Sequence, residues 1–459
     1  MWRVCEDDLR VLKASPFFDP EWYQARYPDV VLAGMDPAEH YLLYGFRLGR
    51  DPGPDFSTRF HQLAFPGLAG DRDPLTQIEA ETTRTGSVPA PAPGHVLNAA
   101  HQVFLRGARE TSLALADRFL AERYRHTLHI LEANKAQVEN DRATWISHVN
   151  GFLNAFGQSD IALHAGHTDL FHDLATAPLP AVTDGPLISI IMPVHNAEET
   201  VEKAIQSILD QTWKNLEIIA VDDCSTDSTP HLLRRIMQKD PRLRVHRLPV
   251  NAGPYVARNV ALGMARGDWI TCHDADDWAH PKRLEDHLGV VLPDGAQADQ
   301  ASVTHMIRMR PDGFFDTIVN ANPFSPDGVT RISSVSALFQ AEFLRNRLGY
   351  WDTVRVGADS EMISRAQHVT GKETRKLRKI GMICLSTDRG LTRDPILGVR
   401  PSGHLSDIRA AYKASWTAVH DRLPPDRLFL PFPQETRRYR GDFTFDVPYE
   451  DVVAASSGQ

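Results

Sequence analysis

Three carboxylates crowd into His273-Asp274-Ala275-Asp276-Asp277, and like charges at such range cannot all stay ionised cheaply unless a cation sits among them. Hard carboxylate oxygens suit magnesium or manganese, and few protein ligands leave coordination positions open for the oxygens of a diphosphate. Asp274 and Asp276, two apart on an extended turn, face one side. An ion held there acts as a Lewis acid on a leaving group. The competing reading is an Asx turn or N-cap leading into a helix over Trp278 to Leu288. His195-Asn196, Asp222-Asp223-Cys224-Ser225 and, much later, Asp359-Ser360-Glu361 complete the groups whose residue types suit chemistry.

Periodicity places the first three groups at strand ends. Leu187 to Val194 is a short, nearly all-apolar run of the kind found in a parallel strand covered on both faces. Glu198 to Leu209 carries Val201, Ala204, Ile205, Ile208 and Leu209 at helical spacing, and Leu216 to Val221 returns to a strand. A helix over Pro230 to Met237, a strand over Leu243 to Leu248, a helix over Gly253 to Met264 and a strand over Asp268 to Cys272 follow. The alternation implies an α/β domain with helices on both faces of a mostly parallel sheet. In such sheets the ligand crevice lies beyond the carboxyl ends of the strands.

Pro193-Val194-His195-Asn196, Val221 to Asp227, Ala257-Arg258-Asn259 with Gly267-Asp268, and Asp274 to Asp277 resemble, in order and spacing, the signature of family 2 glycosyltransferases with the GT-A (Rossmann-like) fold, over roughly residues 186 to 400. The resemblance implies transfer of a sugar from a nucleotide-diphosphate donor, UDP-linked, to a glycan or lipid-linked glycan acceptor of a bacterial surface polysaccharide. It implies that Asp223, with Asp222, receives the base and ribose. Pro193 and Asn196 would shape the base pocket, His195 would stand where an aromatic is common, and Glu198, Ser225 and Ala275 would line the donor. Arg258 would lean toward the diphosphate, while Asp274 and Asp276, with Asp277, would hold Mn2+ or Mg2+.

Leu348 to Asp352, Gly357 to Glu361 and Arg365 resemble the family's acceptor-side segment, in which an acid at a helix start is the general base. Asp359 takes that place, with Ala358 where Glu is usual and Glu361 as the fallback. One base opposite the leaving diphosphate implies inversion at the anomeric carbon. Tyr350 and Trp351 either form a platform for a sugar ring or pack in the core. Arg389-Gly390-Leu391-Thr392 resembles a loop that closes over the diphosphate, and His404 is a candidate to complete the metal shell. Two other classes remain: a non-catalytic nucleotide-sugar-binding scaffold and a nucleotidyltransferase. The first strand lacks the Gly-rich, Lys-bearing phosphate loop that would favour the latter.

The rest of the chain reads as support: a small helical module over 1–67, a Pro/Gly-rich linker over 68–94, helical hairpins over 95–184, the GT-A domain over 185–400, and a C-terminal helix with a proline-rich tail over 401–459. Asp19-Pro20-Glu21 and Asp36-Pro37-Ala38-Glu39 each pair an N-cap oxygen with a proline at the first helical position. The segment from Phe17 to Pro52 resembles one fused to bacterial surface-polysaccharide glycosyltransferases. The 59 acidic against 50 basic residues give a net charge of −9, which offers nucleic acid no broad positive field. No apolar run approaches the ~20 residues of a membrane span, so the expectation is a cytoplasmic protein. Arg437-Arg438-Tyr439-Arg440 is a basic spot able to touch anionic lipid at the inner face of the plasma membrane. Cys5, Cys224, Cys272 and Cys384 read as reduced thiols, and His164, His167 and His172 lack the carboxylate frame of a metal site.

Overall fold

The structure, a computed structural model, describes residues 4–457 apart from 69–71, 165, 167–168, 293–299, 318–324, 388–393, 395, 399–404, 440 and 442–444. The chain forms two compact units, one from residues 1–135 with 317–329, the other from 136–316 with 330–459.

The first unit is helical. Asp19 caps Pro20–Arg26 by accepting the Trp22 N–H at 2.9 Å, and Asp36 caps Pro37–His40 through the N–H groups of Ala38 and Glu39. Leu12, Tyr23, Val30, Ala38, Tyr41, Phe46 and Phe56 form its core together with Leu75 and Ile78. Those last two overturn the expected linker: Pro74–Thr85 is a helix, capped by the Asp73 carboxylate on the Thr76 N–H at 2.9 Å. Burial of Leu75 and Ile78, each worth about 1.5–3 kcal/mol, outweighs the loop-like composition around them. The helices Val96–Leu105 and Arg109–Phe119 follow.

The second unit opens with the helix Arg142–Asn154 and is built on a sheet of β1 (Ile188–Val194), β2 (Leu216–Asp222), β3 (Leu243–Arg247), β4 (Trp269–Cys272) and the later β8 (Phe339–Gln340). Strand order is β8-β4-β1-β2-β3, all parallel except β8. A second sheet holds β5 (Asp277–Ala279), β6 (Ser302–Met309), β7 (Arg331–Ile332) and β9 (Arg375–Leu385) in the order β5-β9-β6-β7. This is the mixed α/β architecture, mostly parallel and preceded by helices, that the alternation implied.

Side-chain alternation explains the continuous apolar runs. Ile188, Ile190, Met192 and Val194 of β1 pack on one face with Val201, Ala204, Ile205 and Ile208 of the helix Val201–Leu209. Ile191, with Ile219 and Val221 of β2, packs on the other face against Val256, Val260 and Ala261 of the helix Pro254–Met264. Both faces are covered, so the strands are almost wholly apolar, and the polar exceptions Ser189 and Glu217 bond to each other at 2.7 Å.

Two expectations change here. Trp278 does not begin a helix: Asp277–Ala279 is a strand antiparallel to β9, and the helix starts at Arg283. After the helix Asp407–Arg422, the C-terminal segment is no loose tail, because Leu428, Leu430, Tyr439, Phe445, Val447 and Val452 lie buried in the same core as the helix Pro254–Met264. Among the described residues no helix is long and apolar enough to cross a membrane.

Candidate active site

The chain runs from β1 outward to β2 and β3, then returns with β4 to the opposite side of β1. The connections after β1 and β4 therefore diverge, and a crevice opens at their carboxyl ends. Asp223, Asp274 and, from the helix Ala358–Thr370, Asp359 surround it.

One side of the crevice is a laced pair of loops. Asn196 and Cys224 adopt left-handed backbone, with φ of 46° and 57°. The Asn196 N–H donates to Ser225 Oγ at 2.9 Å, Asn196 Oδ1 accepts from the Thr226 N–H at 2.8 Å, and Glu198 Oε2 accepts from the Ser228 N–H at 2.9 Å. Asp222 accepts from the Ser225 N–H at 3.0 Å and pairs with Arg247 at 3.2 Å. Asn196, Glu198, Asp222 and Ser225 thus hold the loops in shape, and Pro193 and Ala275 are buried beneath. Asp223 accepts N–H groups of Ala252 and Gly253 on its two oxygens, each at 2.7 Å. Burial raises its carboxyl above the usual range while those N–H groups pull the other way. His195 donates from Nδ1 to the Asp223 carbonyl at 2.8 Å and leaves its ring exposed.

Sequence reasoning missed the wall opposite. Arg355 donates to Asn251 Oδ1 at 2.6 Å, and the Asn251 amide lies 3.2 Å from the His195 ring nitrogens. The signal was Asn251-Ala252-Gly253-Pro254, in which Gly253 has φ of 84° and turns two N–H groups onto Asp223.

The centre of the crevice is Arg258. Only 2% exposed, it donates to Asp359 Oδ1 and to Asp274 Oδ1, each at 2.6 Å, and lies 4.9 Å over the Tyr255 ring. Tyr255 in turn donates its hydroxyl to Asp359 Oδ2 at 2.8 Å. The guanidinium links the candidate metal acid to the candidate base. A carboxylate oxygen has two lone pairs, so each Asp359 oxygen keeps one for a further proton or donor.

Among the clustered acids, solvent reaches Asp276, yet protein encloses its carboxyl on most sides. That burial, with the charge of Asp274, pushes it up to about 6 against the pull of Arg308. Asp277 does not belong to a metal site. It sits on β5, 6% exposed, and accepts the Leu385 N–H at 3.1 Å. Burial and its two acidic neighbours push it far above the carboxylate range, toward the neutral acid. Asp276 lies in the turn just before that strand. His273 is also buried: Nε2 donates to the Asp277 carbonyl at 3.2 Å and Nδ1 accepts from Arg283 at 3.1 Å, with burial and that cation keeping the ring neutral.

Arg258 faces Asp274 at 2.6 Å and burial shifts Asp277 toward the neutral acid, so part of the repulsion is relieved within the protein. What remains for a hard cation is Asp276 and the outer oxygen of Asp274, whose side chain is 34% exposed. Two carboxylates fit magnesium or manganese when a diphosphate supplies further oxygens. Among the described residues, no three His, Cys, Asp or Glu side chains gather into a fuller cage.

Glu361, the fallback base, is excluded. It is wholly buried, paired with Arg365 at 2.8 Å and bonded to His420 and Tyr439. Burial would raise its carboxyl, but Arg365 and His420 prevail and hold it at about 2. Trp351 is core rather than an open platform: 2% exposed, with its backbone N–H and C=O both bonded to Asn259. Tyr350 rests on Phe432 at 5.4 Å. Within the basic spot, Arg437 pairs with Asp352 and Asp446 and Tyr439 is buried. Arg389-Gly390-Leu391-Thr392, His404, His167 and Arg440 lie outside the described residues.

Fold and crevice define an α/β domain with acids and an arginine gathered at its switch point. Residues 189–322 match the family model described as Glycosyl transferase family 2. An uncharacterized glycosyltransferase of Haemophilus influenzae is 45% identical over 23% of this chain and 43% of its own length. The succinoglycan biosynthesis protein ExoO of Rhizobium meliloti is 31% identical over 42% and 59%, and the putative teichuronic acid biosynthesis glycosyltransferase TuaG of Bacillus subtilis is 42% identical over 23% and 42%. The chain thus spans about half the length of the curated relatives it matches. A solved structure of Staphylococcus aureus TarS 1-349 in complex with UDP-GlcNAc overlaps 44% of this chain and 59% of its own, with 21% identity and a TM-score of 0.35.

Proposed function

We propose that this protein transfers a sugar from a nucleotide-diphosphate donor, UDP-linked, to a hydroxyl of a glycan acceptor, with inversion, in the assembly of a bacterial surface polysaccharide. The family 2 match supports the reaction class, and the succinoglycan and teichuronic acid biosynthesis named for ExoO and TuaG supports the setting. The single observation that carries the residue assignment is the bridge from Asp274 through Arg258 to Asp359. It joins a cation that can meet a diphosphate to a carboxylate that can take a proton.

In this reading the acceptor oxygen attacks the anomeric carbon, the bond from that carbon to the diphosphate oxygen breaks, and the hydroxyl proton passes to Asp359. Arg258 and Tyr255 fix the Asp359 carboxylate so that a free lone pair faces the crevice. Arg258 adds positive charge where negative charge grows on the leaving group. When bound by Asp276 and Asp274, magnesium or manganese supplies Lewis-acid stabilisation of the departing diphosphate. The His195 ring and the Asp223 rim receive the base and ribose.

The test is release of nucleoside diphosphate from a panel of UDP-sugars with acceptor glycans, with and without manganese. Turnover in the parent protein and its loss in Asp359→Asn and Asp276→Asn are expected. A parent protein that binds donor but never turns it over would leave only a binding scaffold, and pyrophosphate release from a nucleoside triphosphate would point to a nucleotidyltransferase.

A further inference from the structure

The helical first unit carries a face that its own packing leaves bare. Val31, Leu32, Tyr44, Leu48 and Leu105 are five of the eleven exposed large hydrophobic side chains among the described residues, with Leu32 88% and Leu48 61% exposed. Contacts made by their chain neighbours tie them to the turn at Gly49-Arg50. Arg106, next to Leu105, donates to the Gly49 carbonyl at 3.2 Å. Arg50 pairs with Asp29 at 2.9 Å, which brings the Asp29–Leu32 turn to the same place. Tyr44 lies one helical turn before Leu48, its carbonyl accepting the Leu48 N–H at 3.1 Å. Gly49 permits this assembly: its φ is 66°, and a Cβ there would meet Arg106 Nη1 at 2.7 Å.

The same face is cationic. Arg59 has a buried Nε with no hydrogen-bond partner among the described residues, and burial together with the charge of Arg106 pulls its guanidinium down. Besides Asp29, which is paired with Arg50, Asp51 lies beside them. Burial lifts it to about 6 against the pull of Arg106 and Arg26, and it spends one oxygen on the Thr58 N–H at 2.7 Å. It offsets only part of the positive charge, and exposed Arg26 and Arg47 extend that charge outward.

An apolar partner would leave the arginines unpaired, and an acidic peptide or glycan would leave the leucines in water. A surface that offers phosphates above a hydrocarbon boundary satisfies both. We propose that this face docks on an anionic lipid bilayer, with Leu32, Leu48 and Leu105 entering the headgroup boundary while Arg59 and Arg106 engage lipid phosphates. The site is independent of the sugar-transfer reading.

The test is flotation of the full chain with vesicles of phosphatidylcholine alone and of phosphatidylcholine mixed with phosphatidylglycerol. Binding to the mixed vesicles only, weakening as salt rises, is expected. At about fivefold per lost cation, Arg59→Glu with Arg106→Glu weakens binding roughly thirtyfold or more. Leu48→Ser with Leu105→Ser also weakens binding but preserves the salt dependence. Arg234→Glu with Lys239→Glu, an equal charge change at exposed positions on and just after the helix Thr229–Met237, leaves it intact. Thermal melts establish that each variant is folded. Equal binding to neutral vesicles, no binding, or indifference to the arginine pair overturns the proposal. So does a concentration-dependent dimer lost in the leucine variant without vesicle binding, which would make a second copy the occupant. Arginine-dependent binding of inorganic phosphate without vesicle binding overturns it too.

Discussion

Asp359 and Glu361 stand two residues apart on one helix, and each carboxylate is served by an arginine and a tyrosine: Arg258 and Tyr255 for the first, Arg365 and Tyr439 for the second. Two steps of an α-helix turn about 200°, so one side chain faces the crevice and the other enters the core. Asp359 remains 15% exposed while Glu361 is sealed, with His420 as a third partner. Nearly the same set of groups therefore makes a usable site where solvent and substrate reach it and a structural cross-link where they do not. Access distinguishes the two.

The largest expected effect is on turnover. Asp359→Asn keeps the shape but cannot take a proton, and loss of a positioned general base typically costs 10²–10⁴-fold, roughly 3–5 kcal/mol of barrier. Donor binding and melting temperature should change little. Glu361→Gln should do the reverse, because it leaves the Arg365 cation buried without its counter-charge, at about 3–5 kcal/mol of stability. Turnover per folded molecule should persist. A Glu361→Gln protein that melts normally but is dead would erase the distinction between the two acids.

Acid titration sharpens the same contrast. Glu361 is held at about 2, below the value near 4.3 of an unfolded chain. A depressed carboxyl contributes its full stability above the unfolded value and loses it as pH falls through the folded one. Melting curves of the parent and Glu361→Gln should lie far apart at neutral pH and converge between about pH 4.3 and pH 2. Parallel curves over that window would mean that Glu361 carries no such pairing.

What could be read in the sequence divides along the same line. The strand alternation and the loops at Asp223 and Asp274 were legible because they are local: a short apolar run ends and polar residues follow. Arg258 was read toward the diphosphate, but its bridge to Asp359 joins residues about a hundred positions apart and leaves no spacing to read. Asp277 was counted as a ligand with the other acids of its cluster, whereas it stands on the strand Asp277–Ala279 and accepts the Leu385 N–H, a pairing with a residue far along the chain that no local spacing shows. The Pro74–Thr85 helix was missed although Asp73-Pro74 repeats the start signal of Asp19-Pro20 and Asp36-Pro37. There composition outweighed a capping pattern that was the better guide.

The smallest effects come from the two tyrosines, and they test the contrast without removing a charge. Tyr255→Phe deletes one hydrogen bond to Asp359 and keeps the ring beneath Arg258. Tyr439→Phe deletes the matching bond to Glu361. A bond to a charged group contributes about 1.5–3 kcal/mol. In Tyr439→Phe that loss should show as a lower melting temperature with kcat unchanged, because the Glu361 oxygen has no water to replace the hydroxyl. In Tyr255→Phe water entering the crevice can replace the lost donor, so stability should fall by less than about 1 kcal/mol. The reduced positioning of Asp359 should lower kcat roughly tenfold with little change in KM. If both variants lose stability and neither loses rate, Asp359 is a cross-link like its neighbour, and the base must be sought elsewhere along the crevice.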